Sequence, residues 1–523
     1  YIDGGSEDMR YAVSLGYNHI AGVMKGSDRK TISGGVTLSY RYKTLSFRNQ
    51  LSIDNNSAKN SPYGSFSNYS KMNPYWRIYN TDGSLIKQYG SDIYNPLLNA
   101  DLNSKDQTGY TTITENFYGE WEAFKNFRIR ARFGLTAQKN SSDIFKPASH
   151  TDYASISVNS DDYLLRGEYT KAQGSQMSLS ADIGAAYAIE VNKHLLYTNL
   201  SWTIEEANSE TTSNTAVGFP SDRMDFISFG NGYKVGSKPT GSESTTRSAG
   251  LVLSANYSYD NRYLADLSYR LNGSSQFGAD ERWGNFWSLG TSWRIDREEF
   301  MASTSDWLSA LTLKMSYGAQ GNDNLGTYYA SKGLYTIVSN LGENALVSDR
   351  MATPNLKWET NLNFNVGIDF SLFNNRFSGS FDFFTRRSKD LLYSRPIAPS
   401  LGYGSIDENV GALKNTGIEM VLNGTIINQN GWVWKLGMNL THYKNKVTDL
   451  PLKDMPQSGV NKLQVGRSVY DFYMIEWAGV DPENGDPLWY MDEEDENHNP
   501  TGKRVTTNDY GSADYYYVNK SSL

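Results

Sequence analysis

Five aromatic side chains crowd one short stretch, "PYGSFSNYSKMNPYW" (62–76): Tyr63, Phe66, Tyr69, Tyr75 and Trp76. The chemistry open to them is adhesive rather than reactive. Flat rings suit the apolar faces of sugars, and Tyr and Trp add a hydrogen-bonding edge. The same rings equally suit packing of a loop against the scaffold beneath it. Ligand contact and loop packing therefore stand side by side as roles for these five.

Little else in the chain has the spacing of a reactive site. "MDEEDENHNPTGK" (491–503) sets Asp495, Asn497 and Asn499 at i, i+2 and i+4, as at the start of an EF-hand loop. The sixth position is Pro500 rather than Gly, and the twelfth is Thr506 rather than Glu, so the expectation is an acidic hairpin turning at "NPTG" and no metal. The histidines, His19, His150, His194, His442 and His498, are scattered. HExxH, GxSxG and GxxxxGK[ST] are all absent, and no pair of carboxylates stands out. No enzyme activity and no cofactor are expected. Arg128, Arg130 and Arg132 form an alternating basic row with the position of a wall lining water.

The elements that must carry these residues are strands. Ile129, Ala131, Phe133 and Leu135 alternate with that arginine row. Leu362, Phe364, Val366, Ile368, Phe370 and Leu372 alternate with Asn361, Asn363, Asn365, Gly367, Asp369 and Ser371. A strand projects successive side chains to opposite faces, so each stretch has one apolar and one polar face. The pattern recurs near 11–17, 36–40, 177–189, 251–259, 263–271, 311–317, 377–383, 418–426 and 432–440, and a further strand is expected near 467–478. About sixteen strands are expected, many of the ~9–11 residues that tilt across a bilayer. Short turns at "RYKTL", "EVNKH", "YDNRY", "FNNRF" and "NQNGW" alternate with long connections near 55–109, 139–175, 207–245, 319–359 and 387–414. The one place for a short helix or an interfacial turn is "MASTSDWLSAL" (301–311).

Composition decides which medium meets each face. Only 38% of the 523 residues are hydrophobic, yet 13% are aromatic, with 37 Tyr and 12 Trp. The net charge of −8 argues against a nucleic-acid partner, and the lack of cysteine excludes disulfides and thiolate metal sites. No apolar run approaches the ~20 residues of a membrane helix. Sandwich arrays would show shorter strands and linkers, and a propeller would repeat every ~40–50 residues. A barrel of this many strands has a lumen too wide for side chains to fill. Its apolar face must then meet lipid and its polar face a wet interior. Tyr and Trp near strand ends, such as Tyr40, Tyr42, Trp432 and Trp434, fit the membrane–water interface. The expected fold is all-β: a large transmembrane antiparallel up-and-down barrel in the outer membrane of a Gram-negative cell, touching its lipid. Long connections are expected to be extracellular and short turns periplasmic.

Several segments resemble a known family. "GVMKGSDRKT" (22–31), "SPYGSFSNYSKMNPYW" (61–76), "ENVGALKNTGIEM" (408–420), "YDFYMIEWAGVDPENGDPLWY" (470–490) and "SADYYYVNKSSL" (512–523) are similar, in order, to stretches of the SusC/RagA family of TonB-dependent transporters. The resemblance implies a 22-stranded barrel with a plug inside it. It also implies a SusD-like surface lipoprotein as lid, energy from the TonB complex, and import of oligosaccharides or peptides. On this reading residues 1–523 are a partial receptor barrel domain. The plug and the TonB-contacting region are expected before Tyr1 and the last strands after Leu523. The alternative is a passive porin or surface-interaction barrel without energy coupling.

Overall fold

The computed structural model describes residues 1–521 apart from 91, 92, 235, 325, 341, 342, 453, 454 and 498. Sixteen strands form one sheet whose spatial order follows chain order. They are β1 (Ile2–Gly5), β2 (Met9–Ala21), β3 (Asp28–Tyr42), β4 (Leu45–Lys59), β5 (Lys105–Phe124), β6 (Phe127–Lys146), β7 (Glu168–Val191) and β8 (His194–Val217). There follow β9 (Thr240–Tyr259), β10 (Tyr263–Ser274), β11 (Trp283–Arg294), β12 (Leu308–Asn322), β13 (Glu359–Leu372), β14 (Phe377–Lys389), β15 (Ala412–Gln429) and β16 (Trp432–Asp449). The chain falls into two compact units, one of residues 1–187, 199–251 and 337–345, the other of 188–198, 252–336 and 346–523.

In the first unit the register assembles the alternating stripes into rows. Ile53 faces Ile113, which faces Ala137, which faces Met177. Nearer the tight turns, Trp121 faces Ile129, which faces Ala185. The opposite face carries Glu120 beside Arg130 and Tyr118 beside Arg132. Apolar windows at 113–121, 129–137 and 177–185 each match the ~9–11 residues a tilted strand needs to cross a hydrocarbon core. The strands run much further: β7 and β8 have 24 residues each, about 80 Å at ~3.3 Å per residue.

The second unit repeats the scheme. Leu313, Ile368, Phe381, Met420 and Leu440 lie in one cross-strand row, and Lys314, Gly367, Asp382, Glu419 and Thr441 fill the next on the opposite face.

Among the described residues, many side chains of the apolar rows are left exposed. Leu15 is 82% exposed and Ile183 59%. Buried apolar clusters lie instead at the long connections: Phe145, Tyr169, Ala216 and Phe219 in the first unit, and Phe277, Ala330 and Leu356 in the second. Contiguous apolar surface on this scale requires an apolar medium. Aromatics border it beside the tight turns. Phe124 stacks on Phe127 at 4.7 Å, and Tyr263 lies between Tyr259 and Trp293 at 6.2 and 6.5 Å.

The five short turns fall where expected, and a sixth joins β5 to β6. Asn126, Asn192, Asn261, Asn374 and Asn430 adopt positive φ in these turns, the backbone that two-residue hairpins demand and Asn tolerates.

Two expectations need correction. The long connections are shorter than the sequence implied, at 60–104, 147–167, 218–239, 323–358 and 390–411, because polar strand ends extend into them. The expected strand near 467–478 divides into Asp471–Ile475, paired with Tyr515–Ser521, and Trp477–Val480, paired with Pro487–Glu494. These belong to small separate sheets, and the large one ends at β16. "MASTSDWLSAL" agrees with its expected reading: the 3-10 turn Glu299–Thr304 runs into its start, and β12 begins at Leu308.

Candidate functional site

The five aromatics of 62–76 divide into two sets. A five-residue helix, α1 (Phe66–Ser70), carries Phe66 on its exposed side, 63% accessible, and Tyr75 in the following turn is 91% accessible. Tyr63, Tyr69 and Trp76 are half-buried. Trp76 stacks on Tyr89 with ring centroids 4.8 Å apart and planes 9° from parallel, and Lys25 Nζ stands 5.7 Å over the Tyr63 ring. The Tyr69 hydroxyl is buried with no hydrogen-bond partner among the described residues. Burial, with Tyr63 adding to it, holds this phenol above its usual pKa, so it stays protonated and able to donate. Packing thus occupies Trp76 and Tyr63, while Phe66 and Tyr75 have the freedom a ligand contact needs.

On the polar face of the first unit, the ends of β4 to β9 shape an open groove of about 610 Å³. Its walls include Asn56, Tyr110, Asn140, Ser142, Thr211 and Ser213. Asn56 is pinned by donating to Thr31 Oγ1 at 2.8 Å. Just below, Thr112 donates to Gln138 at 3.0 Å, and Gln138 to Asn140 at 2.6 Å. The polar groups of this surface are mostly amides and hydroxyls, joined by Arg29. The surface can exchange hydrogen bonds with neutral hydroxyl-rich or amide-rich ligands, and its groups neither attack nor transfer protons readily. Sequence reading missed it because these residues lie on strand ends taken for loops.

The arginine row sits on the polar face as expected. Arg132 pairs with Asp182 at 3.1 Å, and Arg130 Nη2 donates to Asn199 at 3.3 Å. The acidic hairpin forms between Pro487–Glu494 and Pro500–Thr507, and Glu494 already faces Pro500, so "NPTG" is not its turn. Asp495 accepts the backbone N–H groups of Asn497 and Asn499 at 2.8 and 2.9 Å and so closes its own turn. His498 lies outside the described residues. Among the described residues no group of three or more His, Cys, Asp or Glu side chains is placed to hold a metal.

A sheet that meanders through sixteen strands, apolar on one face over a bilayer's height and polar on the other, has the pattern of β-barrels that cross membranes with strands. Residues 27–521 match the family described as TonB dependent receptor-like, beta-barrel, and the chain belongs to that family. Three TonB-dependent receptors of Formosa agariphila are 25%, 26% and 27% identical over 528, 504 and 506 residues. These matches take in 92–97% of this chain and 47–49% of theirs, so the chain spans about half the length of these relatives. TonB-dependent receptor SusC of Bacteroides thetaiotaomicron is 32% identical over 258 residues, 45% of this chain and 25% of its own. Among solved structures, the RagAB peptide transporter superposes with a TM-score of 0.84 at 25% identity, over 99% of this chain and 58% of that one. The ferric citrate transporter FecA, at a TM-score of 0.52 and 8% identity, shares the fold alone.

Proposed function

We propose that this chain is the wall of a SusC-like TonB-dependent importer. Its apolar face would lie in the outer membrane, and it would admit oligosaccharides or peptides captured beneath a surface lipoprotein. Phe66, Tyr75 and the Asn- and Thr-rich groove would form contacts for that cargo, with Tyr63, Tyr69 and Trp76 holding the aromatic segment in place. The observation that carries the reading is the register. It gathers apolar residues into windows of bilayer height on one face and leaves amides, hydroxyls and charges on the other, which is the division of surface a wet conduit through lipid requires. The similarity to the RagAB peptide transporter adds weight to peptides as cargo.

The test is uptake of labelled oligosaccharide and peptide pools by cells expressing the full-length protein, with TonB present or deleted. The expected result is accumulation of one pool only when TonB is present. Accumulation that ignores TonB and the proton gradient would favour a passive pore, and no accumulation of either pool would reject both cargo classes.

A further inference from the structure

Above the apolar belt of the second unit, the apolar-side face of β14, β15 and β16 changes character within two residues. Phe381 and Phe383 on β14 give way to Thr385 and then Arg387. Ile418 on β15 gives way to Thr416 and then Lys414, and Leu440 on β16 gives way to His442, Lys444 and Lys446. The register sets Arg387 directly opposite Lys414, Lys414 directly opposite Lys446, and Thr416 opposite Lys444.

Like charges placed directly opposite one another destabilise a sheet. With strands ~4.7–4.9 Å apart, three cations stand in a row about 10 Å wide. All four basic side chains are exposed, and no ion pair links any of them to a carboxylate among the described residues. By register the next row on this face is Lys389, Ala412 and Asp449, which holds one cation and one acid. In the first unit the two rows just past the belt are Thr111, Lys139 and Ser175 and then Gly109, Ser141 and Gln173, which together hold a single cation. The basic row is thus a local feature, and the repulsion within it calls for an anion from outside the chain.

We infer that Arg387, Lys414, Lys444 and Lys446 bind the phosphate groups of a phosphorylated glycolipid in the outer leaflet. The inference rests on the proposed placement of the apolar face in the outer membrane. The row lies on the lipid side, at the end of the strands away from the tight turns, where the apolar belt stops. Acyl chains against Phe381, Phe383, Ile418 and Leu440 would put a headgroup phosphate at the height of the cations. Such a phosphate would offset the like-charge repulsion of all three strands at once, through charge-assisted hydrogen bonds from a guanidinium and several ammonium groups.

The test uses the full-length protein extracted from outer membranes, as wild type, as the variant R387Q/K414Q/K444Q/K446Q, and as a control, K43Q/K125Q, altered at the tight turns. Native mass spectrometry reads the lipid that stays bound. Nanodiscs containing lipid A, dephosphorylated lipid A or phosphatidylglycerol, and solutions of inorganic phosphate, supply the competing sources. Four basic residues near an anionic surface are together worth at least about a tenfold change in retention. The expected result is a loss of that size in the quadruple variant and with dephosphorylated lipid A, and none in the control. Equal retention by wild type and quadruple variant would overturn the inference. So would equal binding of phosphatidylglycerol, or displacement by inorganic phosphate alone. Heat-modifiable migration of the quadruple variant on gels shows that the barrel has formed, so a failed lipid site remains distinct from a failed membrane assignment.

Discussion

Lys314 Nζ on β12 lies 2.8 Å from Asp369 on β13 and 3.0 Å from Asp382 on β14, one ammonium holding two carboxylates of successive strands. Gly367 stands between them, because a Cβ there would collide with the Asp382 carboxylate and come within 2.9 Å of Lys314 Cε. All three charged groups are partly exposed, so each pair contributes at the scale of ~0.2–1 kcal/mol for solvated ion pairs. Lys314→Met leaves the two carboxylates facing each other and should cost about 1 kcal/mol. Gly367→Ala should cost at least as much by pushing the Asp382 side chain aside. Thermal unfolding of the full-length protein checks both. If both substitutions are silent, the charged triad contributes nothing.

The division of faces makes a sharper expectation at two neighbouring residues. Val366 lies in the apolar row opposite Met315, while Asn365 lies on the other face opposite Ser316. An arginine facing the bilayer midplane costs about 2–4 kcal/mol, and far less on a water-lined face. Val366→Arg should then impair assembly and Asn365→Arg should be tolerated, as read by heat-modifiable migration and outer-membrane yield. The reverse order would exchange the two faces.

The aromatic segment separates binding from packing. Phe66→Ala and Tyr75→Ala remove exposed rings and should weaken cargo binding by roughly 1–3 kcal/mol where a ring is truly a hot spot, with thermal stability unchanged. Trp76→Ala removes the ring stacked on Tyr89 and should lower stability of the segment first. Calorimetric titration with the transported pool, run beside thermal unfolding, distinguishes the two. A Tyr75→Ala variant that binds normally would leave that ring without a role in capture.

What the sequence revealed followed the physics of alternation. Ile129, Ala131, Phe133 and Leu135 announced β6, since one face meets apolar surroundings and the other does not. The same strand continues through Gln138, Lys139, Asn140, Ser141, Ser142 and Asp143, where both faces are polar. Period-2 contrast vanishes there, and Asn- and Ser-rich composition reads as loop. Asn56, Tyr110 and Asn140 therefore stayed hidden as groove residues, and of their three strands only β6 was read from an alternating stripe. The turns were legible because Asn at positive φ leaves a compositional mark. The exposure of Phe66 and Tyr75 against the tucked positions of Tyr63, Tyr69 and Trp76 was not, because it depends on Tyr89 and Lys25, partners that spacing within 62–76 does not reveal. The basic row was equally invisible: Arg387, Lys414 and Lys446 are distant in sequence and meet only through register.

One connection of the first unit should respond to pH. His150 caps the 3-10 turn Thr151–Tyr153, its Nδ1 accepting the backbone N–H of Asp152 at 3.2 Å. Burial pushes the imidazole below its usual pKa; the Asp152 carboxylate opposes this and Lys146 adds to it. Only the neutral ring can accept at Nδ1, so folding favours the deprotonated form. With the folded value depressed, the stabilising contribution is complete above the ordinary value of ~6.5. It declines as pH falls below that point toward the folded value, where both states carry the proton. Asp152, whose own pKa is lowered, stays ionised throughout this window and does not mask the effect. Hydrogen exchange of amides 147–167 in the full-length protein should therefore accelerate between pH 7.5 and 5.5, after correction for the intrinsic pH dependence of exchange. Gln offers a side-chain acceptor that does not titrate, so His150→Gln should flatten the response. If wild type and His150→Gln loosen equally on acidification, another group governs this connection.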